Sequence, residues 1–216
     1  MIARPVGADH PAAPSACDPG YSLLAPWSRL KEKGLAHARQ GHGTTITSPD
    51  EWNLLDPAVL DAAVRHDDTL QILDDLVAVR VALECDMVRA AARRMTSADL
   101  EELGRLLGEL ESEIKVTDRY QETDTRYHDF ILRCSGNRLG RSIIRSIHPY
   151  ARASSRYSPP ADEEDLRQSH RGHVAIYELL VKRDAAGAAT AMEEHIAGSW
   201  ARRKRKHGRF SQGHEP

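Results

Sequence analysis

The sequence predicts a mainly α protein, a bundle of six or seven helices behind a small N-terminal element of one helix and two short extended runs. Three observations carry this. From residue 56 onward, apolar residues recur at three- and four-residue spacing with only short breaks. The breaks carry helix-start chemistry, as in Asp56-Pro57 and Thr96-Ser-Ala-Asp99. The β-branched run TTIT at 44–47 supplies the strand signal.

Residues 1–22 are rich in proline and glycine without an apolar period, which predicts a disordered or divergent lead-in. WSRLKEKGL is helix-like and Gly34 is its natural stop. AHARQGHGTTITSP reads as two extended runs about a turn at Gln40–Gly43, ended by Pro49. Asp56-Pro57 opens a helix carrying Val59, Leu60, Ala63 and Val64. The next helix covers about 69–95, with Leu73, Leu76, Val77, Leu83 and Met87 at helical spacing. TSADLEELGRLLGELESEI follows, with Leu103, Leu106, Leu110 and Ile114 on one face. Further helices are predicted over about 118–134, 137–155, 162–182 and 184–204, the breaks being Ser135-Gly136, Ser158-Pro159-Pro160 and Arg183-Asp184. The basic run Arg202–Arg209 leads into a tail, 205–216, that reads as solvated and disordered.

Composition narrows the function classes. Hydrophobic residues at 40% and charged residues at 29% suit a globular chain, and aromatics at 5% leave the core to Leu, Ile, Val, Ala and Met. The net charge of -2 gives no global field for nucleic acid. Cys17, Cys85 and Cys134 lack metal-type spacing and read as free thiols. No apolar run approaches a membrane span and no signal-peptide pattern is present, so the expected location is the cytoplasm.

DTRYHDF at 124–130 places Asp124 and His128 one turn apart on a helix face. His173 and His195 lie on two later helices beside apolar residues. One carboxylate and three imidazoles from three helices suit Zn²⁺, Ni²⁺, Mn²⁺ or Fe²⁺. His170, one turn before His173, competes for the same role. His10, His37, His42, His66, His148, His207 and His214 read as solvated.

Residues 68–196 resemble the FCD effector-binding domain of GntR-family transcription regulators of the FadR branch. The segments that carry the resemblance are VAVRVALECDMVRAAARRMTSADLEEL, DTRYHDFI, CSGNRLG and HVAIYELLVKRDAAGAATAMEEHI. The resemblance implies an FCD-type bundle over 68–204 that binds one divalent metal per chain, with zinc first. Its ligands would be Asp124, His128, His173 and His195. A small carboxylate or sugar-acid effector would complete the coordination. Arg80, in Arg-x-x-Leu-Glu, matches an effector-contacting arginine, with pairing to Glu84 as the other reading. Asn137 would cap the next helix or touch the effector.

GLAHARQGHGTTI resembles the end of that family's winged helix-turn-helix, so residues 23–50 read as an incomplete one. The resemblance implies DNA contacts from Arg29, Lys31, Arg39, Gln40, Gly41, His42, Gly43 and Thr44. EWNLLDPAVL, within a linker and first helix at 51–67, looks like the linker of members that respond to galactonate or gluconate. One departure stands out: SLLAPW puts Pro26 where a recognition helix is expected.

The function expected is therefore a homodimeric regulator of transcription, most naturally a repressor, that binds operator DNA and has no catalytic role. Two other readings stay open. One is a metal- and ligand-binding protein with a defective DNA-binding half. The other is a metalloenzyme, although no histidine has a Glu three residues before it, as a di-iron bundle would require.

Overall fold

The computed structural model describes residues 24–39, 43–153 and 161–212. The lead-in 1–22, Cys17, the turn Gln40–His42 and the loop Ser158-Pro159-Pro160 lie outside the described residues. The chain divides into two compact units, Met1–Asn53 and Leu54–Pro216.

In the first unit, α1 (Leu24–Glu32) is followed by an antiparallel hairpin of β1 (Ala36–Arg39) and β2 (Gly43–Ile46). Ala36 faces Ile46 and Arg39 faces Gly43. Pro26 does not break α1, contrary to the sequence reading. It falls in the first turn, where a backbone N–H has no intrahelical partner to lose. Gly34 has a φ of +71°, and a Cβ there would collide with the Glu51 carbonyl, so glycine is required on both counts. A 3-10 turn at Pro49–Glu51 closes the unit, with the Asn53 N–H donating to the Lys33 carbonyl at 2.9 Å.

The second unit holds seven helices among the described residues. They are α2 (Pro57–His66), α3 (Gln71–Arg94), α4 (Ser97–Ser112), α5 (Thr117–Ser135), α6 (Arg138–Ala153), α7 (Glu163–Val181) and α8 (Ala185–Gln212). The starts follow the expected capping chemistry. Asp56 accepts from the N–H groups of Ala58 and Val59 at 3.0 and 3.2 Å. Thr96 with Asp99, and Asp162 with Asp165, form reciprocal capping boxes. Helix α3 is central and packs against α5, α6, α7 and α8. Leu73, Met87, Leu103, Leu110, Ile131, Ile176, Leu180 and Met192 are fully buried around it. Each contributes about 1.5–3 kcal/mol of transfer free energy.

The basic run is a correction to the sequence reading. Residues 205–212 continue α8 rather than forming a loose tail. Lys204 Nζ pairs with Asp74 at 2.8 Å, and Lys206 Nζ pairs with Asp162 at 2.8 Å and also with Asp165. These acids sit at the starts of α3 and α7, so the run is held by partners far away in sequence. Cys85 and Cys134 are free thiols, and burial pushes both up to about 11, which leaves them unreactive. No helix among the described residues is long and apolar enough to cross a membrane.

Candidate metal centre and ligand cavity

Three helices aim four donors at one point. Asp124 and His128 project from α5, His173 from α7 and His195 from α8. Their ligand atoms all lie within 4.8 Å of one another. His128 Nε2 stands 3.2 Å from His195 Nε2 and 3.3 Å from His173 Nε2, and His173 Nε2 stands 3.1 Å from an Asp124 oxygen. Two donors bound about 2.0–2.2 Å from one ion lie about 2.8–3.6 Å apart in tetrahedral or octahedral arrangements. The three separations fall in that window, so the residues present fit a divalent metal. His170 is outside the cluster, and its Nδ1 is buried without a hydrogen-bond partner.

The surroundings prepare the donors. Burial holds His173 and His195 below the ordinary imidazole range, and for His195 the other two rings add to it. The rings are therefore neutral and can offer lone pairs. The Tyr127 hydroxyl donates to the His173 backbone carbonyl at 2.9 Å, fixing the helix turn that carries this ligand. Tyr120 Oη lies 3.4 Å from His173 Nδ1. Gly172 lets α8 approach α7, because a Cβ there would collide with Nδ1 of His195. Glu84 is wholly buried, with one oxygen 3.0 Å from His128 Nδ1 and the other accepting from Arg80 Nε at 2.7 Å. Burial alone would raise the Glu84 carboxyl. The Arg80 charge and the bonds from His128 and Arg80 outweigh it and hold the acid below the usual carboxylate range.

Two cavities adjoin the cluster. A narrow one is lined by Arg80, His148, Ser169, Ser199 and Arg203 beside Asp124, His128 and His195. A roomier one of about 320 Å³ is lined by Arg80, Glu84, Arg126, His128, Arg145 and His148. Arg80 pairs with Glu84 and also lines both cavities. His148 was expected in solvent and is instead buried. Ile144 and Ile147 share its side of α6, and that period was the available signal.

Asn137 lines neither cavity. Its side chain accepts from the Gly140 N–H at 2.9 Å and so caps α6, while lining a separate depression with Arg138 and Arg141. Ser169, Ser199, Arg203 and Gly172 were not singled out by sequence reasoning, and Glu84 entered it only as a pairing partner of Arg80. Only Gly172, a glycine inside a helix, carried a local signal.

In the N-terminal unit, Arg29, Lys31, Gly43 and Thr44 are described, with Gly43 at φ +79° on the hairpin turn and Thr44 exposed. Gln40, Gly41, His42 and the side chain of Arg39 lie outside the described residues.

The half-buried to buried His₃Asp cluster thus sits inside an all-helical bundle. Residues 75–198 match the FCD domain family, and the chain belongs to it. It is similar to the galactonate operon transcriptional repressor of Escherichia coli K12, with 27% identity over 81% of this chain and 76% of that one. It is also similar to the HTH-type transcriptional regulator LutR of Bacillus subtilis 168, with 24% identity over 78% of this chain and 77% of that one. Among solved structures, Streptococcus agalactiae GntR matches with a TM-score of 0.51 at 23% identity, covering 79% of this chain and 76% of that one. E. coli McbR/YncC matches with a TM-score of 0.55 at 15% identity, covering 85% and 83%. The two structural likenesses show the fold. The chain is a transcriptional regulator of the GntR family carrying an FCD domain, and the relatives are regulators rather than enzymes.

Proposed function

We propose that this regulator holds one divalent metal, zinc first, through Asp124, His128, His173 and His195, and senses a small carboxylate beside it. The observation that carries the proposal is the convergence of four donors from three helices within 4.8 Å, against a cavity walled by Arg80 and Arg203. A bound divalent ion supplies a coordination position for a carboxylate oxygen. The guanidinium groups add fixed positive charge, and Ser169 and Ser199 offer hydroxyls to an acid carrying alcohol groups. A sugar acid meets all three demands. The similarity to a galactonate operon repressor supports that class.

The regulator acts as a homodimeric repressor on operator DNA, and the acid shifts its equilibrium between two arrangements of different DNA affinity. The hairpin 36–46 acts as the wing, with Arg39, Gln40, Gly41, His42, Gly43 and Thr44 against phosphates and base edges and Arg29 and Lys31 on the preceding helix. The test is a fluorescence anisotropy titration of the purified protein on DNA upstream of its neighbouring operon, with and without galactonate and related acids, alongside elemental analysis. The proposal expects one metal per chain and an acid-dependent change in DNA affinity. Stoichiometric metal retained in both His128→Ala and His195→Ala would rule out the site. Absence of any DNA binding would leave a metal- and ligand-binding protein.

A further inference from the structure

We propose that Glu84 is the positioning residue of the metal centre, and that Arg80–Glu84–His128 forms a relay that ties metal affinity to acid affinity. The inference rests on the metal reading above. Glu84 is the only acid among the described residues with no exposed surface. An unpaired carboxylate so placed would cost several kcal/mol. Each oxygen instead takes one charge-assisted bond, from Arg80 Nε at 2.7 Å and from His128 Nδ1 at 3.0 Å.

The chemistry of the second bond is directional. A carboxylate only accepts, so His128 carries its ring proton on Nδ1 and donates it. Nε2 is then left with a bare lone pair, and Nε2 is the atom that faces His173 and His195. Glu84 therefore selects the tautomer that can ligate and fixes the ring plane. Arg80 neutralises Glu84, so the buried pair adds no net charge beside the cluster.

Arg80 also lines both cavities. An acid that drew the Arg80 guanidinium toward itself would loosen its hold on Glu84 and leave more negative charge on the oxygen facing His128. Metal and acid then strengthen one another's binding, and the coupling is reciprocal. A direct arginine–acid contact without the relay would leave metal affinity untouched by Glu84.

The test is Zn²⁺ competition against a chromophoric chelator on the full chain, with ¹⁵N NMR of the metal-free histidines. Glu84→Gln is expected to weaken Zn²⁺ by about 10- to 100-fold, because a carboxamide can donate to Nδ1 and move the ring proton to Nε2. Glu84→Gln strands the Arg80 charge, so Arg80→Met/Glu84→Gln is the companion that removes the buried pair. It should regain metal-free thermal stability while Zn²⁺ binding stays weak. In NMR the wild type should show His128 protonated at Nδ1, with the proton shifted toward Nε2 in Glu84→Gln. Wild-type Zn²⁺ affinity in both variants, or an unchanged His128 tautomer, overturns the relay alone. Failure of the wild type to take up Zn²⁺ overturns the metal reading and the relay together.

Discussion

The Nε2 atoms of His128 and His195 stand 3.2 Å apart, brought together from α5 and α8. With His128 protonated on Nδ1, its Nε2 can only accept, and His173 Nε2 lies 3.3 Å away on the same side. One shared proton can satisfy only one of these approaches, whereas a cation satisfies all of them. Metal removal by a chelator should therefore lower the melting temperature. At a free metal concentration of about 100 times Kd the stabilisation is about 2.7 kcal/mol, or about 5–11 °C for a chain of this size. Differential scanning fluorimetry with and without chelator checks this. Identical melting curves would mean that the cluster holds no metal.

Gly172 has no side chain because His195 lies against it. Gly172→Ala should displace that ring at a cost of about 1–3 kcal/mol, which is about 5- to 150-fold in metal affinity. Alanine favours a helix by up to about 1 kcal/mol over glycine, which offsets part of that cost, so metal-free stability should fall by no more than about 2 kcal/mol. Metal competition and metal-free melting separate the two effects. Unchanged metal affinity would show that His195 is not a required ligand.

Tyr127 is fully buried and donates to the His173 carbonyl. Tyr127→Phe keeps the ring and leaves that carbonyl short of a partner. The expected loss is about 1 kcal/mol in chemical denaturation, with metal stoichiometry retained.

Asp74 accepts from Trp200 Nε1 at 2.6 Å and from Lys204 at 2.8 Å. Burial works against the charged carboxylate, but these two bonds outweigh it and hold the acid below its ordinary value. A depressed folded pKa gives stability that is fully present above the unfolded value, near 4. It is lost as the pH falls through the folded value. The stability gap between wild type and Asp74→Asn should thus stay constant above about pH 5 and close in more acid solution. Urea titrations across that range measure it. A gap that widened in acid would contradict the ion pair.

Most of the helical unit was legible because its signals are local. Leu103, Leu106 and Leu110 mark a buried stripe by spacing alone, and Thr96 and Asp99 declare a helix start within four residues. Asp124 and His128 announce a shared face in the same way. Glu84 and Gly172 were not legible as site residues, because their roles are set by His128 and His195 on other helices. The Lys204 and Lys206 run misled for the same reason, since its acid partners lie 41 to 130 residues away. Pro26 misled because a helix tolerates proline in its first turn, and the sequence did not show where that turn began.

Helix α8 is a single 28-residue rod that carries His195 and, nine residues on, Lys204. At about 1.5 Å per residue these points lie about 13.5 Å apart along its axis. A tilt of about 5° pivoting at His195 would move Lys204 by about 1.2 Å. That takes the 2.8 Å bond to Asp74 to about 4 Å, the outer limit of an ion pair. Asp74 lies in the first turn of α3, four residues after Leu70, whose φ of 62° is a left-handed kink at the junction with α2. A rigid rod pivoting at His195 would thus make or break the Lys204–Asp74 pair at the start of α3 with a tilt of about 5°.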